Sequence, residues 1–167
     1  MIDFIKIPNK MKRVLIGDEK GRKKIEKLTN TKISIKEDVK IEGESFDVYQ
    51  AKQVLKAFGR GFPIKEALSL LDDTYGLEII DLSRLLNSKN RIKIIKGRII
   101  GSGGKTKELI EKYTQTKLSI SGKTVSVLGK WKKVELAKEA VMMVIDGCSH
   151  AKLYKWLEQQ YSVVRKW

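Results

Sequence analysis

Apolar positions along this chain follow two rhythms. In residues 32–35 (KISI) and 39–41 (VKI) every second residue is apolar, as in a strand with one buried face. In residues 46–58 the stripe Val48, Ala51, Val54, Leu55 and Phe58 recurs at spacings of three and four, which predicts a helix. Ahead of these lie a predicted strand over 4–7, a helix over 10–16, a turn near Gly17 and a helix ending near Leu28. Gly59 and Gly61 stop the 46–58 helix, and Pro63 suits the first turn of another over 64–71. A strand over 75–82, with LEIIDL at its heart, opens a second series. It runs helix, glycine loop, helix, strands over 117–120 and 124–128, a helix over 131–145 and a last helix over 151–160.

The two series are copies. KLTNTKISI at 27–35 and KYTQTKLSI at 112–120 agree at six of nine positions, 85 residues apart. The VLIG ending at Gly17 echoes the RIIG ending at Gly101, and Val48, Ala51, Lys52 and Gly61 echo Val134, Ala137, Lys138 and Gly147. Register kept over a whole unit implies duplication of one fold. The expected class is α+β, with units at 1–73 and 74–167. Each unit has the order strand-helix-helix-strand-strand-helix.

The glycine loop of the second copy holds the candidate chemistry. Gly101-Ser102-Gly103-Gly104 joins two helical stretches, and Lys105, Thr106 and Lys107 open the second. A helix start leaves N–H groups unpaired beside a positive dipole end, a fit for phosphate. A nucleotide-hydrolase loop would need glycine at 99, where Ile99 stands; the dinucleotide fingerprint fails at Thr106. The stretch RIIGSGGKT, from Arg98, resembles instead the signature of the type I (eukaryotic-type) KH RNA-binding module. In that module a G-x-x-G loop clamps the backbone of about four nucleotides. Gly101 and Gly104 match its two glycines. In copy one the matching stretch is Gly17-Asp18-Glu19-Lys20-Gly21, one residue short and acidic at its tip, which predicts a degenerate module.

Charge sharpens this picture. Residues 84–134 carry 14 lysines and arginines against only Glu108 and Glu111, most of the chain's net +15. A polyanionic partner follows, nucleic acid before membrane. No run of 18 uncharged apolar residues exists, and the first ten residues lack a signal-peptide pattern, so a cytoplasmic location is expected. With one cysteine, Cys148, and one histidine, His150, neither an internal disulfide nor a zinc site of ordinary spacing can be built. The adjacent Asp72 and Asp73 read as a helix end rather than a catalytic pair. No nucleophile or matched acid stands out, so neither catalysis nor a cofactor is expected.

A closer resemblance covers nearly the whole chain. GRGFP at 59–63, LEIIDL at 77–82, GRIIG at 97–101 and GCSHAKLYKWL at 147–157 are similar to the archaeal partner-of-Nob-one proteins, tandem KH factors of small ribosomal subunit assembly. The resemblance implies two tandem type I KH domains, each a three-stranded antiparallel sheet with helices on one face, the second holding RNA near the 3′ end of small-subunit ribosomal RNA. It also implies association with the Nob-type endonuclease and with the alpha subunit of an archaeal initiation factor. The expected RNA-binding residues are Arg98, Ile99, Ile100, Gly101, Ser102, Gly103, Gly104, Lys105, Thr106, Lys107 and Lys117. Ile99, Ile100, Leu109 and the strand near Leu118 would form an apolar floor for bases. The alternative is a protein-interaction adaptor whose charge merely tolerates RNA.

Overall fold

The computed structural model describes residues 1–167, which form two compact units, Met1–Asp73 and Thr74–Trp167. In the first, β1 (Ile2–Ile5), α1 (Asn9–Gly17), α2 (Glu19–Thr29), β2 (Lys32–Ile35), β3 (Val39–Glu42) and α3 (Ser45–Gly59) precede α4 (Ile64–Ala67) and a 3-10 turn, Leu68–Leu71. In the second, β4 (Tyr75–Asp81), α5 (Leu82–Leu85), α6 (Lys89–Ile100), a 3-10 turn at Ser102–Gly104 and α7 (Lys105–Thr114) come first. Then follow β5 (Lys117–Ser121), β6 (Thr124–Lys130), α8 (Trp131–Ile145) and α9 (His150–Val164). The sheets are antiparallel, ordered β1-β3-β2 and β4-β6-β5, so the last strand of each unit is central. In the second unit Ile80, Leu118, Val125 and Val127 meet Ile95, Ile99, Ile110 and the apolar stripes of α8 and α9.

Three expectations shift. The first strand lies at Ile2–Ile5 because its ladder pairs Ile2 with Glu42 and Ile5 with Val39; Ile7 is buried beyond the strand, in reach of Gly59. The helix expected over 64–71 tightens into a 3-10 turn after Ala67, where the Ser69 hydroxyl donates to the Glu66 carbonyl at 2.6 Å. The last helix runs on to Val164, which is buried with Leu153 and Leu157 on one stripe.

Both units repeat the same local devices. α2 and α7 end on left-handed residues, Asn30 (φ 52°) and Gln115 (φ 55°). Thr29 and Thr114 each donate to a carbonyl one turn back, Ile25 and Ile110, at 2.6 Å. Each also meets a second threonine, Thr31 or Thr116, at 2.8 Å. Glu26 and Glu111 accept from the backbone of Ile33 and Leu118 at 3.1 and 3.0 Å, fastening helix to strand. Lys52 to Asp3 and Lys138 to Glu78, both at 2.9 Å, link the unit's long helix to its first strand. These pairs explain why the sequence repeat is strongest around residues 27–35 and 112–120.

Thr114 and Thr116 are both buried, whereas Thr31 is half-exposed. Thr114→Val should therefore leave a hydroxyl stranded and cost about 1–3 kcal/mol. Thr29→Val should cost less, because water can reach Thr31. Denaturant unfolding of the two variants checks the order; equal losses would show that the threonine pairs do not differ in solvation.

Candidate nucleic-acid interface

α6 begins with Ser88 as its cap, accepting from the Arg91 amide at 3.1 Å, and buries Ile92, Ile95 and Ile99. At its end Gly101 adopts φ 76°, ψ 172°, a conformation essentially confined to glycine. A Cβ there would lie 2.2 Å from the Thr106 Oγ1, so the chain turns back in contact with itself. Gly103 and Gly104 follow with φ of 61° and 78°. The Gly104 amide donates to Gly101 and the Lys105 amide to Ser102, while the tip amides of Ser102 and Gly103 lie outside these bonds. α7 starts with no side-chain cap. Ser102 and Gly103 are exposed, and no atom lies within 4 Å of a Cβ built at Gly103 or Gly104. The loop thus leaves open amides at the start of α7, the positive end of its dipole, with Lys105 exposed beside them.

The first unit fills the same position with its own carboxylate. Only Asp18 separates α1 from α2, and its side chain accepts from the Gly21 amide at 2.9 Å. Glu19 stands in the first turn of α2 and pairs with Lys23 at 2.9 Å. An incoming phosphate would meet these acids instead of free donors.

The α9 helix and the turn ahead of it brace the second unit's loop. The Arg98 guanidinium donates to the Cys148 carbonyl at 2.6 Å, and His150 Nε2 donates to the Arg98 carbonyl at 2.9 Å. The Tyr154 and Thr106 hydroxyls meet at 2.7 Å. Tyr154 also stacks on His150, and Lys105 Nζ lies 5.6 Å from its ring centre. His150 and Tyr154 were not legible as loop residues. They are four apart on one helical face, but nothing local says which loop that face meets.

The expected residues divide. Gly101, Ser102, Gly103, Gly104 and Lys105 surround the open tip; Ile100 is exposed and Leu109 half-buried beside it. Lys107 is half-buried, 3.4 Å from Glu111, and Lys117 is exposed at the start of β5. Ile99 and Thr106 have no exposed area, and Leu118 is buried too. The expectation that the Ile99 side chain floors a base is therefore corrected: helical period turns it into the core with Ile92 and Ile95, and Ile100 faces out instead. Leu118 likewise faces the core, and Thr106 is engaged with Tyr154.

Residues 76–162 match the family model of the eukaryotic-type KH domain (KH domain type I), in the form found as the second KH domain of PNO1. The chain belongs to the Pno1-type KH family. A KH domain-containing protein of Methanocaldococcus jannaschii is 40% identical over 173 aligned positions, spanning 99% of this chain and 76% of the relative. The pre-rRNA-processing protein pno1 of Aspergillus fumigatus is 36% identical over 109 positions, 63% of this chain. The match covers only 43% of that fungal relative's length. Among solved structures, Dim2p in the a/eIF2alpha–aDim2p–rRNA complex of Pyrococcus horikoshii is similar with a TM-score of 0.87 and 33% identity, covering 98% of this chain and 95% of that one. A protein from Aeropyrum pernix reaches a TM-score of 0.89 at 28% identity, covering 99% and 93%. This Pno1-type chain shares its family's fold over both units, while the family model itself covers the unit that holds the open loop.

Backbone strain should separate the glycines of that loop. Gly101→Ala meets both a glycine-only conformation and Thr106, and should destabilise the chain by about 1–3 kcal/mol or more. Gly103→Ala, in open space, should cost about 1 kcal/mol. Thermal and denaturant unfolding read the difference; an unperturbed Gly101→Ala would mean that the close turn relaxes freely.

Proposed function

We propose that this protein is a non-catalytic, single-stranded RNA-binding factor of small-subunit assembly, holding the 3′ region of small-subunit (pre-)ribosomal RNA through its second unit. Residues 74–167 form the RNA-binding type I KH domain, and residues 1–73 a degenerate KH domain whose loop is closed to phosphate. One contrast carries the reading: the same helix start is open in a surplus-positive segment of the second unit and occupied by Asp18 in the first. The Pyrococcus relative, solved with ribosomal RNA and a/eIF2alpha, supports both the ligand and a protein partner.

In this reading the backbone of Gly101 to Gly104 receives phosphates and Lys105 adds charge, with Lys107 and Lys117 at the margins. Ile100 and Leu109 offer apolar surface to unstacked bases. Arg98 acts chiefly by holding the loop against α9, and Thr106 does so through Tyr154. The first unit faces protein partners, the alpha subunit of the initiation factor and the Nob-type endonuclease among them, in the cytoplasm.

The test is Ser102→Asp combined with Gly103→Asp. Both positions are exposed, and aspartate tolerates the left-handed backbone of Gly103, so the fold should survive. Two carboxylates in place of open donors should cost roughly 3 kcal/mol or more, over about a hundredfold in affinity. Titration with a small-subunit 3′-end oligonucleotide should show no saturable binding, with unchanged melting. Wild-type affinity in the folded double variant would remove the loop from function.

Salt gives an independent reading. Three or four phosphate contacts to a single strand predict a log–log slope of about −2 to −3. Binding indifferent to salt would exclude a phosphate clamp.

A further inference from the structure

The second unit shows what the complete fold does with the outer side of its second helix. α9 runs alongside α7 in the same direction. The Tyr154 and Thr106 hydroxyls meet at 2.7 Å, and two turns further on in both helices Tyr161 meets Tyr113 edge to face, with ring centres 5.5 Å apart. Tyr113 is thereby partly buried against the core. The first unit begins the same cover and does not finish it. Gly21, which matches Thr106 in the repeat, lies under α4: a Cβ there would fall 2.5 Å from the Ile64 Cδ1. After the four residues of α4 and the four of the 3-10 turn the chain leaves at Asp72 for β4, whereas α9 runs for 15 residues. Leu28, the match of Tyr113, is left 52% exposed.

Charge beside that gap has one sign. Lys20, Lys24 and Lys27 recur along α2 at spacings of four and three and so form one stripe, with Leu28 next to it, one turn beyond Lys24. All three lysines are exposed, and none takes part in an ion pair. The two acids of α2 are engaged elsewhere. Glu19 pairs with Lys23 at 2.9 Å, and Glu26 accepts from the Ile33 amide at 3.1 Å. In α7 the stripe is interrupted, because Leu109 stands at the position of Lys24.

We propose that this open face of α2 docks one amphipathic helix of a partner protein. The docked helix lies where the last two turns of α9 lie in the second unit, with an apolar residue over Leu28 and an acidic flank against Lys20, Lys24 and Lys27. The inference rests on the reading that the first unit faces protein partners, and it names the surface and the chemistry that surface takes. Burial of Leu28 supplies affinity. The lysines supply orientation and encounter rate, because an exposed ion pair adds little energy by itself. An aliphatic anchor favours a helix over an unstacked base, which stacks on aromatic rings.

The probe is a labelled designed peptide of about 18 residues, with leucines at helical spacing and glutamates along one flank. A second peptide carries lysines in place of the glutamates. The full chain is titrated with each at physiological salt by fluorescence anisotropy, and with a small-subunit 3′-end RNA of about four nucleotides as the reading of the second unit. Wild type should bind the acidic peptide saturably and the basic one at least about tenfold more weakly. Leu28→Ser should weaken the acidic peptide about tenfold or more and leave RNA affinity unchanged. Lys20→Glu, Lys24→Glu and Lys27→Glu combined should invert the preference between the peptides. All four positions are exposed, so melting should be unchanged. Absence of saturable binding by the acidic peptide would overturn the docking surface. So would a Leu28→Ser variant that binds it as wild type does, or a charge-reversed variant that keeps the wild-type preference. With RNA binding intact, each of these results leaves the RNA-binding reading of the second unit standing. A Leu28→Ser variant that loses the RNA along with the peptide would overturn both the surface and the division of roles between the units.

Discussion

Everything at the site depends on how closely the chain turns back on itself at Gly101. The carbon of any side chain there would overlap the hydroxyl of Thr106, and the position ahead of α7 is Gly104, which has no side chain to cap the helix. A helix start deprived of its own cap keeps unsatisfied amides and an uncancelled dipole. The usual remedy is a serine, threonine or aspartate side chain. Under the function proposed here the remedy is left to a ligand. The cost in stability is met by α9, whose His150 and Tyr154 hold both shoulders of the loop.

The duplicated units show the alternative solution in the same chain. Their second helices end on a left-handed residue, Asn30 or Gln115, their threonine pairs and glutamate clasps match in kind, and their long helices bind the first strand through corresponding lysines. They differ where α1 meets α2 and α6 meets α7. Asp18 caps its helix in the ordinary manner, satisfying the Gly21 amide with the protein's own carboxylate. One fold therefore supports a closed and an open helix start, chosen by a single residue of loop length and the charge within it. Division of labour between RNA and protein partners follows from that choice under the function proposed here.

Basic residues concentrate in the unit with the open loop, and they do so at a cost. α6 starts with Lys89, Arg91 and Lys93 and has no acid in its first turn, against the preference of a helix dipole. Mutual repulsion among these side chains is relieved by salt or by a polyanion, not by neighbouring carboxylates. Such unrelieved charge is a feature of surfaces shaped for a strand rather than for stability alone.

Much of this was legible in the sequence, for physical reasons that can be named. Strand and helix periods are local, so KISI, KLSIS and the stripe of α3 revealed their elements directly. Register between the copies exposed the duplication, and glycine spacing with charge located the loop. Positive backbone angles and cap preferences also belong to short stretches, which is why Gly101 to Gly104 and Asp18 could be weighed before any fold was known. Burial is not local in that sense. Of the adjacent Ile99 and Ile100, only packing against β5, β6 and α8 decided which faces solvent, and it assigned Ile99 to the core. The brace from α9 spans 48 to 52 residues of sequence, and the bond from Lys96 to the Gly122 carbonyl requires the β5–β6 turn to reach back to α6. Those contacts exist only because the sheet order β4-β6-β5 brings distant segments together, and a hydrogen bond across such a distance leaves no trace in composition or periodicity.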